Sequence, residues 1–166
     1  MQIEEVSGAK ALEEPNLFEL ANPPKSHPDI ESVVIVAYPR TGICTIRGIG
    51  RNLDGDGAGI SIRTKVDALA EALGSKYGKG EKHDGCAGGD VACEAQFWMM
   101  TLSGGERVYA YEWNTQNENM KKNGLGQIFA AAQAADIQTT YPVLEFHSAS
   151  KAACDAASKE SSASAL

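Results

Sequence analysis

The sequence predicts an α+β fold: an antiparallel sheet built from hairpins, with one amphipathic helix packed on a face and a short C-terminal helix. Three observations carry this expectation. Segments 32–50, 95–113 and 127–147 each read as two short apolar runs flanking turn residues. One stretch, about 61–77, holds a single apolar stripe at helical spacing. The elements follow in the order α, β-β, α, β-β, β-β, α, which suits an antiparallel sheet with helices to one side. The expected organisation is one domain over 1–160 with a frayed tail at 161–166.

Residues 1–13 are expected to form a short helix with Ile3, Val6 and Leu12 on its apolar side. Pro15, Pro23, Pro24 and Pro28 make 15–30 an extended connector, within which Phe18 and Leu20 alternate as a dockable edge strand. Ser32–Tyr38 is apolar on both faces and reads as a strand covered on both sides. Pro39-Arg40-Thr41-Gly42 turns the chain, and Ile43–Ile49 pairs back. There Cys44 and Ile46 share one face, and Thr45 and Arg47 the other. The glycine- and aspartate-rich loop 54–59 ends the strand. The helix follows: Ile62, Val66, Leu69, Leu73 and Tyr77 recur in steps of three and four, and Gly78 supplies the stop.

Residues 79–94 read as a polar, glycine-rich loop. Ala95–Leu102 and Arg107–Trp113, separated by Gly104-Gly105, are expected to form a hairpin. Trp98, Met100 and Leu102 would share one face, and Tyr109, Tyr111 and Trp113 one on the partner strand. Residues 127–135 fit either a helix, from their alanines, or a strand. The strand is preferred because 141–147 then closes a last hairpin. Ala149–Lys159 reads as a helix.

Composition narrows the function. Fifteen Lys and Arg against 22 Asp and Glu give a net charge of −7, which argues against a general nucleic-acid-binding face and suits a basic protein partner. No apolar run approaches the length of a membrane helix. The opening MQIEEVSGAKALEEP has neither a basic n-region nor an apolar h-region, so an export signal, if used, is expected to have been removed. The four cysteines, Cys44, Cys86, Cys93 and Cys154, allow three pairings. Cys86 and Cys93 enclose a short loop that could close on itself; a bridge from Cys44 to Cys154 would tie the tail to the sheet. Two bridges would imply an oxidising compartment, periplasmic or secreted.

The run PPKSHPDIESVVIVAYPRTGICTIRGIG, followed by the helix ending LGSKYG, the WMM segment, GERVYAYEW, a closing LEF and a later cysteine, resembles uncharacterised exported proteins of Gram-negative bacteria. The opening MQIEEV looks like the helix start that usually follows their signal peptide. The resemblance covers most of 1–155. It implies export and a disulfide-compatible Cys44 and Cys154, and it carries no activity. Cys86 and Cys93 fall outside it.

Several motifs fail as catalytic sites. The Asp54-Gly-Asp56-Gly-Ala58-Gly59 run starts like a calcium loop, but its twelfth position is Lys65; no Gly-Lys-Ser/Thr completes a phosphate loop. His83, Cys86 and Cys93, with Asp90 or His147, would make a loosely spaced zinc set. His83-Asp84 is a base beside an acid, with no nucleophile in a recognisable pattern: Ser61 and Ser103 lie outside any elbow motif. Glu71, Glu106 and Glu112 read as a solvated face. No metal or cofactor is expected.

The preferred expectation is a non-enzymatic exported binding module of the inhibitor or immunity type. It would take a protein partner, such as a basic toxin or enzyme, through Trp98, Tyr109, Tyr111 and Trp113 of the aromatic hairpin and His83, Asp84 and Asp90 of the 79–94 loop. The alternatives are a small hydrolase or metal enzyme centred on His83, Asp84 and Asp90, and a structural component of the cell envelope.

Overall fold

The computed structural model describes residue 3, residues 6–21, residue 23, residues 27–114 and residues 117–164. Among the described residues, nine strands form an antiparallel sheet. They are β1 (Ala9–Ala11), β2 (Leu17–Leu20), β3 (Ile30–Tyr38), β4 (Gly42–Gly50), β5 (Leu53–Asp54), β6 (Glu81–Cys86), β7 (Arg107–Asn114), β8 (Leu125–Ala134) and β9 (Thr139–Ser148). The order is β1-β2-β3-β4-β9-β8-β7-β6, with β5 also on β9. The helices are α1 (Ile60–Tyr77), α2 (Trp98–Ser103), α3 (Glu118–Lys122) and α4 (Lys151–Ser164). The α+β class, the first and last hairpins, the long helix and the C-terminal helix are as expected, and 127–135 is largely strand.

The chain divides into two compact units. Unit one is Met1–Gly48, Asn114–Ile128 and Glu145–Leu166. Its core holds Leu20, Val33, Ile35 and Ala37, with Phe18, Ile30, Ile43 and Ile46 packed against them. Only one face of β3 is fully buried, since Val34 and Val36 stay partly exposed. The β3–β4 turn closes with Thr41 N–H donating to Tyr38 O at 3.2 Å and Gly42 at φ +72°. Helix α4 is fixed by the Cys44–Cys154 disulfide, Cα–Cα 5.7 Å, and by Asn16 Nδ2 donating to Ser161 Oγ at 2.8 Å. It continues to Ser164, past the expected fray point.

Two N-terminal expectations are corrected. Ala9–Ala11 is a strand rather than part of a helix, because its backbone pairs with β2, Ala9 opposite Leu20 and Ala11 opposite Phe18. Residues 1, 2, 4 and 5 of the expected helix lie outside the described residues, as do 22 and 24–26 of the connector. Strand β2 is internal, paired on its other side with β3.

Unit two is Ile49–Trp113 and Phe129–Leu144. Helix α1 buries Ile62, Val66, Leu69, Ala70 and Tyr77. Ile62 and Val66 join Trp98, Met99, Leu102, Tyr109 and Ala132 in the core. The helix start explains the aspartate loop. Asp56 carboxylate oxygens accept from Ile60 N at 2.8 Å and Ser61 N at 2.7 Å, satisfying N–H groups that the first turn leaves open. Burial pushes the Asp56 carboxyl up, but these donors outweigh it and hold the group below its ordinary value. Gly59, at φ +67°, admits the Trp98 ring: a Cβ there would lie 2.0 Å from the indole.

The expected 95–113 hairpin is corrected. Ala95–Phe97 is a 3-10 turn and Trp98–Ser103 is helical; only 107–114 is strand. Strand β7 pairs antiparallel with β6 on one side, Glu81 opposite Glu112 and Cys86 opposite Arg107, and lies next to β8 on the other. Strand β6 ends the sheet order, which is why its sequence, EKHDGC, can be polar and pass for a loop.

Candidate functional site

The residues after β6 form a tied tip on unit two. Cys86 and Cys93 are bridged, Cα–Cα 5.8 Å. Ala87 N–H donates to Glu106 O at 2.8 Å, and Cys93 N–H to Gly89 O at 3.0 Å. Gly88 lies against Glu106, where a Cβ would come 2.7 Å from Oε2. The Arg107 guanidinium donates to Cys93 O at 3.0 Å and to Thr101 Oγ1 at 2.9 Å, and it lies over the Trp98 ring, 5.6 Å from its centroid. Arg107 is thereby directed into the tip's own framework. Residues 83–106 carry Asp84, Asp90, Glu94 and Glu106 and no Lys or Arg, and all four carboxylate residues are exposed. On the same segment Val91 is 68% exposed and Met100 50%. The tip therefore presents negative charge and apolar groups on backbone held at several points.

The aromatic residues are placed differently from the expectation. Tyr109, Tyr111 and Trp113 do share a face of β7, but it is the face toward α1. Trp98, Tyr109 and Trp113 are buried at 3%, 3% and 4% exposure, so they are core and not a binding surface. Trp98 meets Tyr109 edge-on, centroids 6.0 Å apart. Trp113 Nε1 donates to Gly78 O at 2.7 Å. Tyr111 remains half-buried.

Asp67 of α1 joins the helix to β7. Its Oδ1 accepts from the hydroxyls of Tyr109 at 2.7 Å and Tyr111 at 2.8 Å. Lys82 Nζ donates to the Tyr109 hydroxyl at 2.7 Å and lies 4.5 Å from that ring's centroid. Burial pushes the Asp67 carboxyl up, and the two hydroxyls and Lys82 outweigh it, leaving the group below its ordinary value. Burial, countered by Lys82 and reinforced by Asp67, raises Tyr109 to about 12. The Tyr109 hydroxyl raises Lys82 against desolvation. Tyr111, Asp67, Ala70, Glu71, Gly74, Lys79 and Gly80 border a shallow groove of about 400 Å³.

His83, Asp84 and Asp90 do not converge. His83 and Asp84 are successive strand residues and point to opposite faces. His83 Nε2 is buried without a hydrogen bond, 3.2 Å from Glu112 Oε2. Asp90 lies in the bridged loop. Cys86 and Cys93 are consumed by their disulfide, which removes the thiolates of the suggested zinc set. Among the described residues, no three His, Cys, Asp or Glu side chains are grouped to hold a metal.

A further cluster lies in unit one. Arg47 and Glu145 pair at 2.6 Å, His147 Nε2 is 3.0 Å from Glu145 Oε2, and His147 Nδ1 is 3.3 Å from Thr45 Oγ1. The hydrogen bond from His147 lowers the Glu145 carboxyl, burial opposes this, and Arg47 adds to the lowering. Sequence reading missed the cluster because β4 and β9, neighbours in the sheet, lie about a hundred residues apart. The only local signal is the Glu145-x-His147 spacing, which puts both on one face of a strand.

No protein-family profile, curated protein or solved structure matches this chain, and the functional reading rests on its own residues. All four cysteines are in disulfides, which marks an oxidising compartment. No helix among the described residues is long and apolar enough to cross a membrane.

Proposed function

We propose that the chain is an exported protein-binding module, of the periplasm or the medium, that engages a basic protein partner through the tied tip of unit two. The observation that carries this reading is the composition of 83–106: four exposed carboxylates, no Lys or Arg, and Val91 and Met100 exposed among them on a disulfide-closed framework. A pre-ordered loop loses little freedom on binding. An acidic surface speeds encounter with a cationic partner, and apolar side chains supply area to bury. Binding here requires contact alone, in keeping with an inhibitor or immunity-type role. The aromatic residues support the tip from within: Arg107 is stacked on Trp98.

The test is partner capture from envelope and secreted fractions by the wild-type chain and by a variant combining Asp84→Asn, Asp90→Asn, Glu94→Gln and Glu106→Gln. A basic partner retained by the wild type and lost by the variant supports the reading. Equal retention by both places recognition elsewhere.

A further inference from the structure

Sheet pairing assembles in unit one a relay that no stretch of the sequence contains. We infer that Thr45, His147 and Glu145 form a nucleophile, base and orienting acid, with Arg47 as the electrostatic partner, giving unit one an acyl-transfer activity toward small carboxylic esters. The inference is independent of the tip of unit two.

The geometry has three links. Thr45 Oγ1 is 3.3 Å from His147 Nδ1, the ring's other nitrogen is 3.0 Å from Glu145 Oε2, and Glu145 Oε1 is 2.6 Å from an Arg47 guanidinium nitrogen. A carboxylate on Nε2–H fixes the tautomer and leaves the Nδ1 lone pair for the threonine proton, which is the arrangement that activates a hydroxyl nucleophile. An ion pair that only joined two strands would need Arg47 and Glu145. Here both ring nitrogens are also used, and the hydroxyl lies at the end of the chain of contacts. The Glu145 side chain is 21% exposed, His147 28% and Arg47 53%, so the carboxylate is the most covered of the three. The imidazole and the guanidinium are both open in part to solvent. Neighbouring strand residues point to opposite faces, so α4, tied to Cys44, lies away from Thr45. All four groups stand on strands, which hold a constellation more firmly than loops.

The step balances without a co-reactant other than water. Thr45 Oγ attacks the ester carbonyl as His147 Nδ1 takes its proton. The carbonyl oxygen becomes an oxyanion, whose charge Arg47, two residues from Thr45 on the same face of β4, would offset. The tetrahedral intermediate collapses, the C–O bond to the leaving group breaks, and the alcohol departs with the proton from His147. Water, deprotonated by His147, then releases the carboxylic acid and restores Thr45. Thr45 is the catalytic nucleophile; Glu145 is a positioning residue.

The probe is p-nitrophenyl acetate, followed by stopped-flow release of nitrophenolate and by intact mass with peptide mapping. The expected result is a burst approaching one acetyl group per chain, mapped to Thr45, absent in Thr45→Ala and retained in Thr45→Ser. Glu145→Gln should slow acylation on the order of 10²-fold, the usual scale of positioned base catalysis, at unchanged KM, and Glu145→Asp should recover part of it. An acetyl group mapped elsewhere, or Thr45→Ala reacting at the wild-type rate, overturns the assignment.

Discussion

Removing the Cys44–Cys154 disulfide, by replacing both residues with alanine, should cost far more stability than removing Cys86–Cys93. The bridges span 110 and 7 residues of sequence. A cross-link restricts the unfolded chain in proportion to the logarithm of the loop it closes, which gives about 5 kcal/mol for the long loop and about 2 kcal/mol for the short one. Burial adds to the difference in the same direction, since Cys44 and Cys154 are core residues at 5% and 8% exposure. For a chain of this size a loss of about 5 kcal/mol lowers Tm by roughly 10–20 °C, and about 2 kcal/mol lowers it by roughly 4–8 °C. Calorimetry of the two double variants, with intact mass to verify the remaining bridge, measures both. Equal losses, or a larger loss from the Cys86/Cys93 variant, would show that loop length does not set the two contributions.

Gly59→Ala should lose about 2–5 kcal/mol in urea unfolding, combining a left-handed backbone with a Cβ driven into Trp98; a loss below 1 kcal/mol would contradict that packing. Asp67→Asn should lower the Tyr109 pKa from about 12 toward the ordinary 10, read by ultraviolet titration of the tyrosines. Because Tyr109 binds its proton more tightly when folded, the stability it contributes is present below pH 10 and fades as pH rises toward about 12. Asp67 has the opposite sign. Its folded value is depressed, so its contribution is intact above the ordinary carboxylate range and is lost as pH falls through the lowered value. Asp67→Asn should therefore flatten both the acid and the alkaline limbs of the stability profile.

The elements legible in the sequence are those whose burial is periodic and whose ends carry turn chemistry. The stripe Ile62, Val66, Leu69 and Tyr77 could only be a helix, and Pro39 to Gly42 could only reverse the chain between β3 and β4. Residues 98–103 were misleading because a short segment with four apolar side chains satisfies either period: Trp98, Met100 and Leu102 alternate, while Trp98 and Leu102 also stand one helical turn apart. The bulk of Trp98, seated on Gly59, decides for the helix, and that contact is 39 residues away in sequence. Strand β6 was hidden by its polarity, which edge position permits. Of the candidate site, the bridged loop and its acidity were visible. The inward turn of Arg107 was not, since a lone arginine at the start of a strand gives no sign of whether it meets solvent or a carbonyl. Nor was the Thr45–His147 contact, which exists only through the pairing of β4 with β9.

The tip of unit two is proposed as a contact surface for a basic protein. A photo-crosslinking side chain placed at Val91 in the full chain, in living cells, tests it most directly, with the same group at Lys10 on β1 as the comparison. The expected result is one discrete protein adduct from position 91, with a partner of basic isoelectric point, diminished by raised salt and absent from position 10. No adduct from position 91, or the same adducts from both positions, would contradict it.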